Sequence, residues 1–314
     1  MRLQKTRRKV LLAMALSLAL AGCATTPKSE EPDLYGMLYE GESTAAYGTA
    51  SPVESPAEAY RNGDMAARAG DFDRALFEYI RGLRLEAEPA ADPLYRIASI
   101  HHQRDNQQLA DMAYRWALEV DPDHAEAGTG LGIMYLETRR YDEAEARLRA
   151  VARKGQASWR THNALGILSD LQGHFEEAAR HYGRALESEP ENHVVLNNLG
   201  YSLYLAGDWE GAREALGKAL HSNPAYELAW RNLGLLHARD GDYEEALEAV
   251  GRSGTEAEAY NDIGYVSMLQ GKYTDAVYFF EQAMQLSPTF YVTASENAKH
   301  AERRIRRNAA SEQD

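Results

Sequence analysis

The chain has 314 residues, 26% of them charged, few Phe and Trp, and a formal net charge of −14. This balance suits an all-helical protein better than a sheet, and its acidity argues against nucleic acid or anionic lipid headgroups as main partners. A single cysteine, Cys23, excludes an intramolecular disulfide.

Met1 to Lys9 carries Arg2, Lys5, Arg7, Arg8 and Lys9 and no acidic side chain, and Val10 to Ala21 is apolar apart from Ser17. A basic stretch leading into a short apolar one is the pattern of a secretory signal, and the run is too short for the ~20 apolar residues of a bilayer span. It ends in Leu20-Ala21-Gly22-Cys23, which resembles the bacterial lipobox. The resemblance implies removal of residues 1–22 and diacylglyceration of Cys23, and two or three acyl chains make a stable anchor. Ala24, in place of Asp, implies by the same resemblance sorting to the outer membrane, facing the periplasm. Without residues 1–22 the chain holds 29 basic against 48 acidic side chains, a charge of −19.

Residues 24–55 are rich in Ser, Thr, Pro, Gly and Glu, with too few apolar residues to bury a face. With Cys23 they are predicted to form a disordered tether, with an r.m.s. reach of about 30 Å. Tyr35, Met37, Leu38 and Tyr39 cluster within it, and are read as a chance cluster rather than a docking motif.

From residue 56 a period of 34 governs the chain. Gly132, Gly166, Gly200 and Gly234 keep it, as do Tyr141, Phe175, Trp209 and Tyr243, and Ala110, Ala144, Ala178, Ala212 and Ala246. Proline marks junctions at Pro122, Pro190, Pro224 and Pro288. Spacing within a period is helical, and Gly173 and Gly207 fall where a first helix should end. Each period is therefore a helix, a turn and a second helix. A glycine repeated inside a helix, where it costs ~1 kcal/mol, points to close approach of the partner helix. The aromatic after the turn is expected to fill the wedge between neighbouring units.

These positions resemble the tetratricopeptide repeat (TPR). The resemblance implies an all-α, right-handed superhelix of about seven helix pairs plus a C-terminal capping helix. Units are placed at 56–90, 91–124, 125–158, 159–192, 193–226, 227–256 and 257–290, with a capping helix and tail at 291–314. The first unit fits through Gly63, Gly70, Phe72, Ala75 and Tyr79, whereas the second lacks both the turn glycine and the aromatic after it. Gly234 to Gly264 is 30 residues, so four are missing near Val250 to Gly254. That deficit predicts a short second helix and a local change of curvature. The last helix is expected over about Phe290 to Asn308, with Arg303, Arg304, Arg306 and Arg307 complementing its dipole at the C-terminal end.

No nucleophile elbow, P-loop or dinucleotide fingerprint is present, so no catalytic residue and no cofactor is assigned. His101 and His102 are adjacent and cannot share one helix side. His174 and His181, with Glu177, match no strong ligand motif and are read as structural or solvated rather than as a metal site. The chain is read as a non-enzyme.

In a TPR array the first helices line a groove. The residues expected to face it are Asn163, Asn197, Asn198, Tyr201, Tyr204, Arg231, Asn232, Asn261, Asp262, Tyr265 and Met268. Asn amides match the backbone of an extended peptide, and Tyr adds apolar area with a polar tip. The lipobox, tether and array together resemble TPR lipoproteins of pilus and secretion systems. The stretches SWRTHNALGILSDLQG, LNNLGYSLYLAGD and AYNDIGYVSMLQGKY are most similar to the TadD-like assembly factors of tight-adherence (Tad/Flp) pili. This resemblance implies an outer-membrane-anchored, periplasm-facing scaffold whose partners are proteins, a secretin pore among them. A type IV pilus pilotin or an adaptor for cell-wall hydrolases is the competing reading.

Overall fold

A computed structural model describes residues 34–39, 52–287, 289 and 291–311. The expected signal segment, Cys23 and most of the expected tether lie outside the described residues. Among the described residues there is no strand. Seven helix pairs follow one another: α1 Pro56–Arg68 with α2 Phe72–Leu85, α3 Ala91–Gln103 with α4 Gln107–Val120, and α5 Ala125–Glu137 with α6 Tyr141–Arg153. Next come α7 Trp159–Leu171 with α8 Phe175–Ser188, and α9 His193–Ala206 with α10 Trp209–Ser222. The last two pairs are α11 Glu227–Asp240 with α12 Tyr243–Gly251, and α13 Glu256–Leu269 with α14 Tyr273–Leu286. A final helix, α15 Val292–Ser311, packs on α14.

The turns inside the pairs are too short to let the helices part, so each pair folds back on itself. Every turn has one residue in the left-handed region: Gly70, Asp105, Arg139, Gly173, Gly207, Gly241 and Gly271. Glycine takes that conformation freely, whereas an L side chain costs roughly 1–2 kcal/mol there. Asp is among the residues that tolerate it, but Arg139 at φ 60° has no such local compensation.

In six of the seven first helices a glycine makes room for a side chain 16 residues later on the second. A Cβ on Gly166 would lie 2.5 Å from the Tyr182 ring, and one on Gly200 2.7 Å from Leu216. Gly63 meets Tyr79, Gly132 meets Leu148, Gly234 meets Val250 and Gly264 meets Phe280 in the same way. The framed alanines Ala110, Ala144, Ala178, Ala212 and Ala246 are fully buried on the opposing helices. The second pair has Ala98 at the glycine position, and its Tyr114 ring lies instead against Gly130 of the next pair.

Four of the aromatics that follow the turns, Phe72, Trp209, Tyr243 and Tyr273, are half-buried and covered by a cation from the following pair. Arg104 lies over Phe72, Arg239 over Trp209 at 3.4 Å, Lys272 over Tyr243 and Arg304 over Tyr273. Each such contact contributes about 0.5–1 kcal/mol, so the wedge is closed by charge as well as by apolar area.

The sixth pair carries the expected short helix: α12 has 9 residues where α10 has 14. Across it α11 and α13 draw together more than other successive first helices do. The last helix buries Ala294, Ala298 and Ala301 against Phe280 and leaves most other described positions to solvent, as a terminal cap requires. Its arginines do not serve the helix dipole, since no basic residue lies in the last turn. Arg304 instead donates to the Tyr273 hydroxyl at 3.1 Å, because that position faces α14 rather than the helix end.

A second departure concerns residues 34–39. They are not a chance apolar cluster in a tether. Gly36–Leu38 form a 3₁₀ turn that buries Leu38 completely and Tyr35 to 8% exposure, and both join the core of the first four pairs. That core is continuous from Tyr35 to Leu168, whereas from residue 178 onward the buried residues separate into smaller clusters.

Candidate functional site on the first-helix face

Successive first helices α3, α5, α7, α9, α11 and α13 touch one another, so their side chains form one continuous face. Two positions on that face, three and two residues before the framed glycine, decide its character. In the later pairs the first of these is Asn163, Asn197, Arg231 and Asn261, and the second is Asn198, Asn232 and Asp262.

The structure joins them across neighbouring pairs. Asn198 Nδ2 donates to Asn163 Oδ1 at 3.0 Å, and Asn232 Nδ2 to Asn197 Oδ1 at 2.9 Å. Arg231 donates twice to the Asp262 carboxylate, at 2.7 and 3.2 Å. Asn197 Nδ2 adds a 3.3 Å bond to Asn198 Oδ1. One rule, third-before to second-before of the next pair, generates an amide and ion-pair ladder from pair four to pair seven. It stops at Asn261, whose Oδ1 is buried with no hydrogen-bond partner among the described residues.

In the earlier pairs the same positions cannot form the ladder. They hold Tyr95 opposite Gly130, and Thr129 opposite Ala164. Here a cavity of about 670 Å³ opens between α3, α5 and α7. Its walls are largely apolar: Tyr95, Tyr114, Ile133, Leu136, Trp159 and Ile167, with Asn163 and Arg160 at the side toward pair four. One polar station stands on the wall. His102 lies 3.3 Å from the Tyr114 hydroxyl and 2.6 Å from Glu137 Oε2. Burial is the main cause holding the Tyr114 phenol above its ordinary range, so it stays protonated and able to donate. Thr129 and Thr161 share a buried 2.9 Å hydrogen bond between their hydroxyls.

The predicted groove residues divide accordingly. Asn163 belongs both to the ladder and to the cavity wall. Asn197 is 4% exposed and its amide faces other amides rather than solvent; Asn198 and Asn232 are partly buried in the same ladder. Arg231 is tied to Asp262. Tyr201 and Tyr204 stack with ring centroids 6.3 Å apart, and Tyr204 leans edge-on against Trp209. Tyr201 and Tyr265, 40% and 46% exposed, are the tyrosines of that set that reach solvent. Apart from Asn163, the cavity residues of pairs two to four were not among the predicted ones. A signal for them was present: small Ser99, Gly130 and Ala164 stand at face positions that neighbour large apolar ones.

The histidines also divide. His162 and His181 face each other with Nδ1 atoms 3.3 Å apart, and burial lowers both from the ordinary histidine value of 6.5. Glu177 lies 3.8 Å from His181 Nε2. His174 is the exposed residue preceding α8 and does not join them. Among the described residues no group of three or more His, Cys, Asp and Glu side chains is placed to hold a metal ion.

Comparison with known proteins agrees with this architecture. The chain is 27% identical over 141 residues to the photosystem I assembly protein Ycf3 of Cyanophora paradoxa, which covers 44% of this chain and 70% of that protein. It spans 60% of the same protein from Synechococcus elongatus, at 28% identity. Among solved structures, PilW, described as a type IV pilus biogenesis factor, superposes with a TM-score of 0.56 at 16% identity, over 66% of this chain and 97% of that one. PilF of Pseudomonas aeruginosa gives 0.53 at 21% identity, over 66% and 95%. Tetratricopeptide repeat families match residues 91–124, 109–158, 170–217, 197–255 and 257–290. The chain belongs to the tetratricopeptide repeat family.

Proposed function

We propose that the chain is a lipid-anchored scaffold at the outer membrane, facing the periplasm, that receives an apolar segment of a partner protein and assists assembly of a Tad/Flp-type pilus or its secretin. The observation that carries the binding role is the apolar cavity between α3, α5 and α7, which opens where the inter-pair ladder is missing. A concave apolar site with a few convergent polar groups is the usual form of a recognition site. His102, Tyr114 and Asn163 supply those groups, and they can orient a backbone while Ile133, Trp159 and Ile167 bury a side chain. The anchor rests on the lipobox sequence at Cys23 and not on the fold. Pilus assembly is supported by the resemblance of the repeats, by the shared fold of PilF and PilW, and more distantly by the assembly role in the name of Ycf3. The scaffold reading, not an enzymatic one, fits a family that mediates protein–protein interactions.

The test is complementation of a strain lacking the chain. Surface pili and assembled secretin should be lost, then restored by the wild-type chain but not by Ile133→Asp, which puts a charge on the cavity wall. Cys23→Ser should fail to restore them while leaving the chain folded. Normal piliation without the chain, or full rescue by Ile133→Asp, overturns the reading.

A further inference from the structure

The contacts of residues 34–39 are those of a ligand in a site. Tyr35 stacks on Trp116 of α4 with ring centroids 5.0 Å apart and planes 13° from parallel. Leu38 is fully buried three residues later, on the same side of the 3₁₀ turn. The Leu38 carbonyl accepts from Nε2 of His101, an imidazole with no solvent exposure at all. Leu34 and Met37, between and beside these, are both 59% exposed. Two anchors point inward, two apolar residues point out, and the backbone carbonyl of the second anchor, Leu38, meets a buried donor.

A buried imidazole N–H aimed at a backbone carbonyl is informative because leaving it unmet is costly. The first two helix pairs therefore provide a place built to receive a short chain segment, with an aromatic slot, an aliphatic slot three residues on, and a fixed donor for the carbonyl. We propose that this is a peptide-receptor site for an aromatic-x-x-leucine turn, occupied by the chain's own Leu34–Tyr39, which thus acts as a releasable latch. Sixteen residues, 40–55, join the latch to the array. A segment tethered so closely has an effective concentration near the millimolar range, so the site is filled in the resting chain.

The consequence for reach rests on the lipid-anchor reading above. Latched, the eleven residue-to-residue steps from Cys23 to Leu34 extend at most about 36–40 Å. Released, the thirty-three steps from Cys23 to Pro56 extend up to about 110–120 Å. The latch sets how far from the membrane the array can work.

The experiment uses the full chain carrying Leu38→Asp, checked for helical circular dichroism, and a fluorescein-labelled synthetic peptide of residues 31–42. By anisotropy the peptide should bind the Leu38→Asp chain at least tenfold more tightly than the wild-type chain, whose site is already occupied. Adding Trp116→Ala to the released chain should abolish binding. In the peptide, Tyr35→Ala should weaken binding at least tenfold, and Met37→Asp should leave it unchanged. Absence of binding to a folded Leu38→Asp chain, or less than a tenfold preference for it, overturns the latch. Should Leu38→Asp not fold, the milder Tyr35→Ala chain takes its place in the same titration. None of these readings involves Cys23, so failure of the anchor and failure of the latch are distinguished.

Discussion

The two halves of the array use one frame for opposite ends. Both stack their helices by the same glycine-to-bulky contact, Gly63 to Tyr79 in the first pair and Gly264 to Phe280 in the last. Both close their wedges with a cation over an aromatic, as at Phe72 and at Trp209. They differ at the two positions before the glycine. In pairs four to seven these residues bond each pair to the next, and the first-helix face is zipped shut. In pairs two to four they are Tyr95, Gly130, Thr129 and Ala164, no ladder bond joins these positions, and a cavity takes its place. Stacking is thus specified by one set of positions and recognition by another, and the second can change without disturbing the first.

The largest expected effect tests that separation from the stacking side. Gly166→Leu forces a side chain into the Tyr182 ring, which is itself held by its 2.7 Å bond to Asp170. The cost should be about 3 kcal/mol, the upper part of the range for overpacked cores. Gly183→Leu on α8, with nothing within 4 Å of its Cβ, should be neutral or slightly stabilising. Urea unfolding of the two variants side by side decides it, and equal stability would remove the stacking argument.

Next in size is the ladder. Asn197→Ala removes the acceptor of Asn232 and the donor to Asn198 at a buried position, and should cost about 1–3 kcal/mol. The converse operation sharpens the comparison further. Thr129→Asn with Ala164→Asn installs the ladder pair between α5 and α7, and should close the cavity with a stability change of about 1 kcal/mol or less. An apolar fluorescent dye that binds the wild-type chain at the cavity should then no longer bind. Retained dye binding would show that the missing ladder is not what opens the site.

Much of this was legible in the sequence, and the limit is instructive. The helix pairs, their register and the shortened α12 follow from a 34-residue period and its single lapse to 30, because stacking demands the same residue types at the same places. The face positions were legible too: Asn163, Asn197, Asn198, Arg231 and Asn232 do lie where the first helices meet. What one sequence does not reveal is whether an amide faces a ligand or its neighbour, which depends on the offset between pairs. The cavity escaped notice because it is made by small residues, Gly130 and Ala164, whose contribution is the space they leave. The latch escaped because Tyr35 and Leu38 meet their partners, Trp116 and His101, only across a separation of 63 residues or more in sequence.

The turns offer a smaller test. Arg139 adopts φ 60° where five of the seven turns have glycine, so Arg139→Gly should stabilise the chain by about 1 kcal/mol. Asp105→Gly should yield less, because Asp tolerates the left-handed region and Asp105 also accepts from Gln107 at 3.0 Å. Thermal melts rank the two, and a larger gain at residue 105 would contradict the argument.

The smallest effect concerns pair four, where the open and zipped halves meet. His162 and His181 are lowered from 6.5 mainly by burial, so the folded state holds them neutral where the unfolded chain would take up protons. Between the folded value and 6.5 the unfolded state binds more protons, and stability must therefore fall as pH is lowered through that window. Second protonation would also set two N–H groups against each other across 3.3 Å. Melting temperature should be flat above about pH 7 and decline below 6.5. His162→Gln removes one titrating ring and the repulsion, so the offset between wild-type and variant curves should be constant above 6.5 and change progressively below it. A parallel pair of curves would assign the decline to other groups. Hydrogen exchange should locate the acid-sensitive opening in α7 and α8, the junction that couples the zipped face to the cavity.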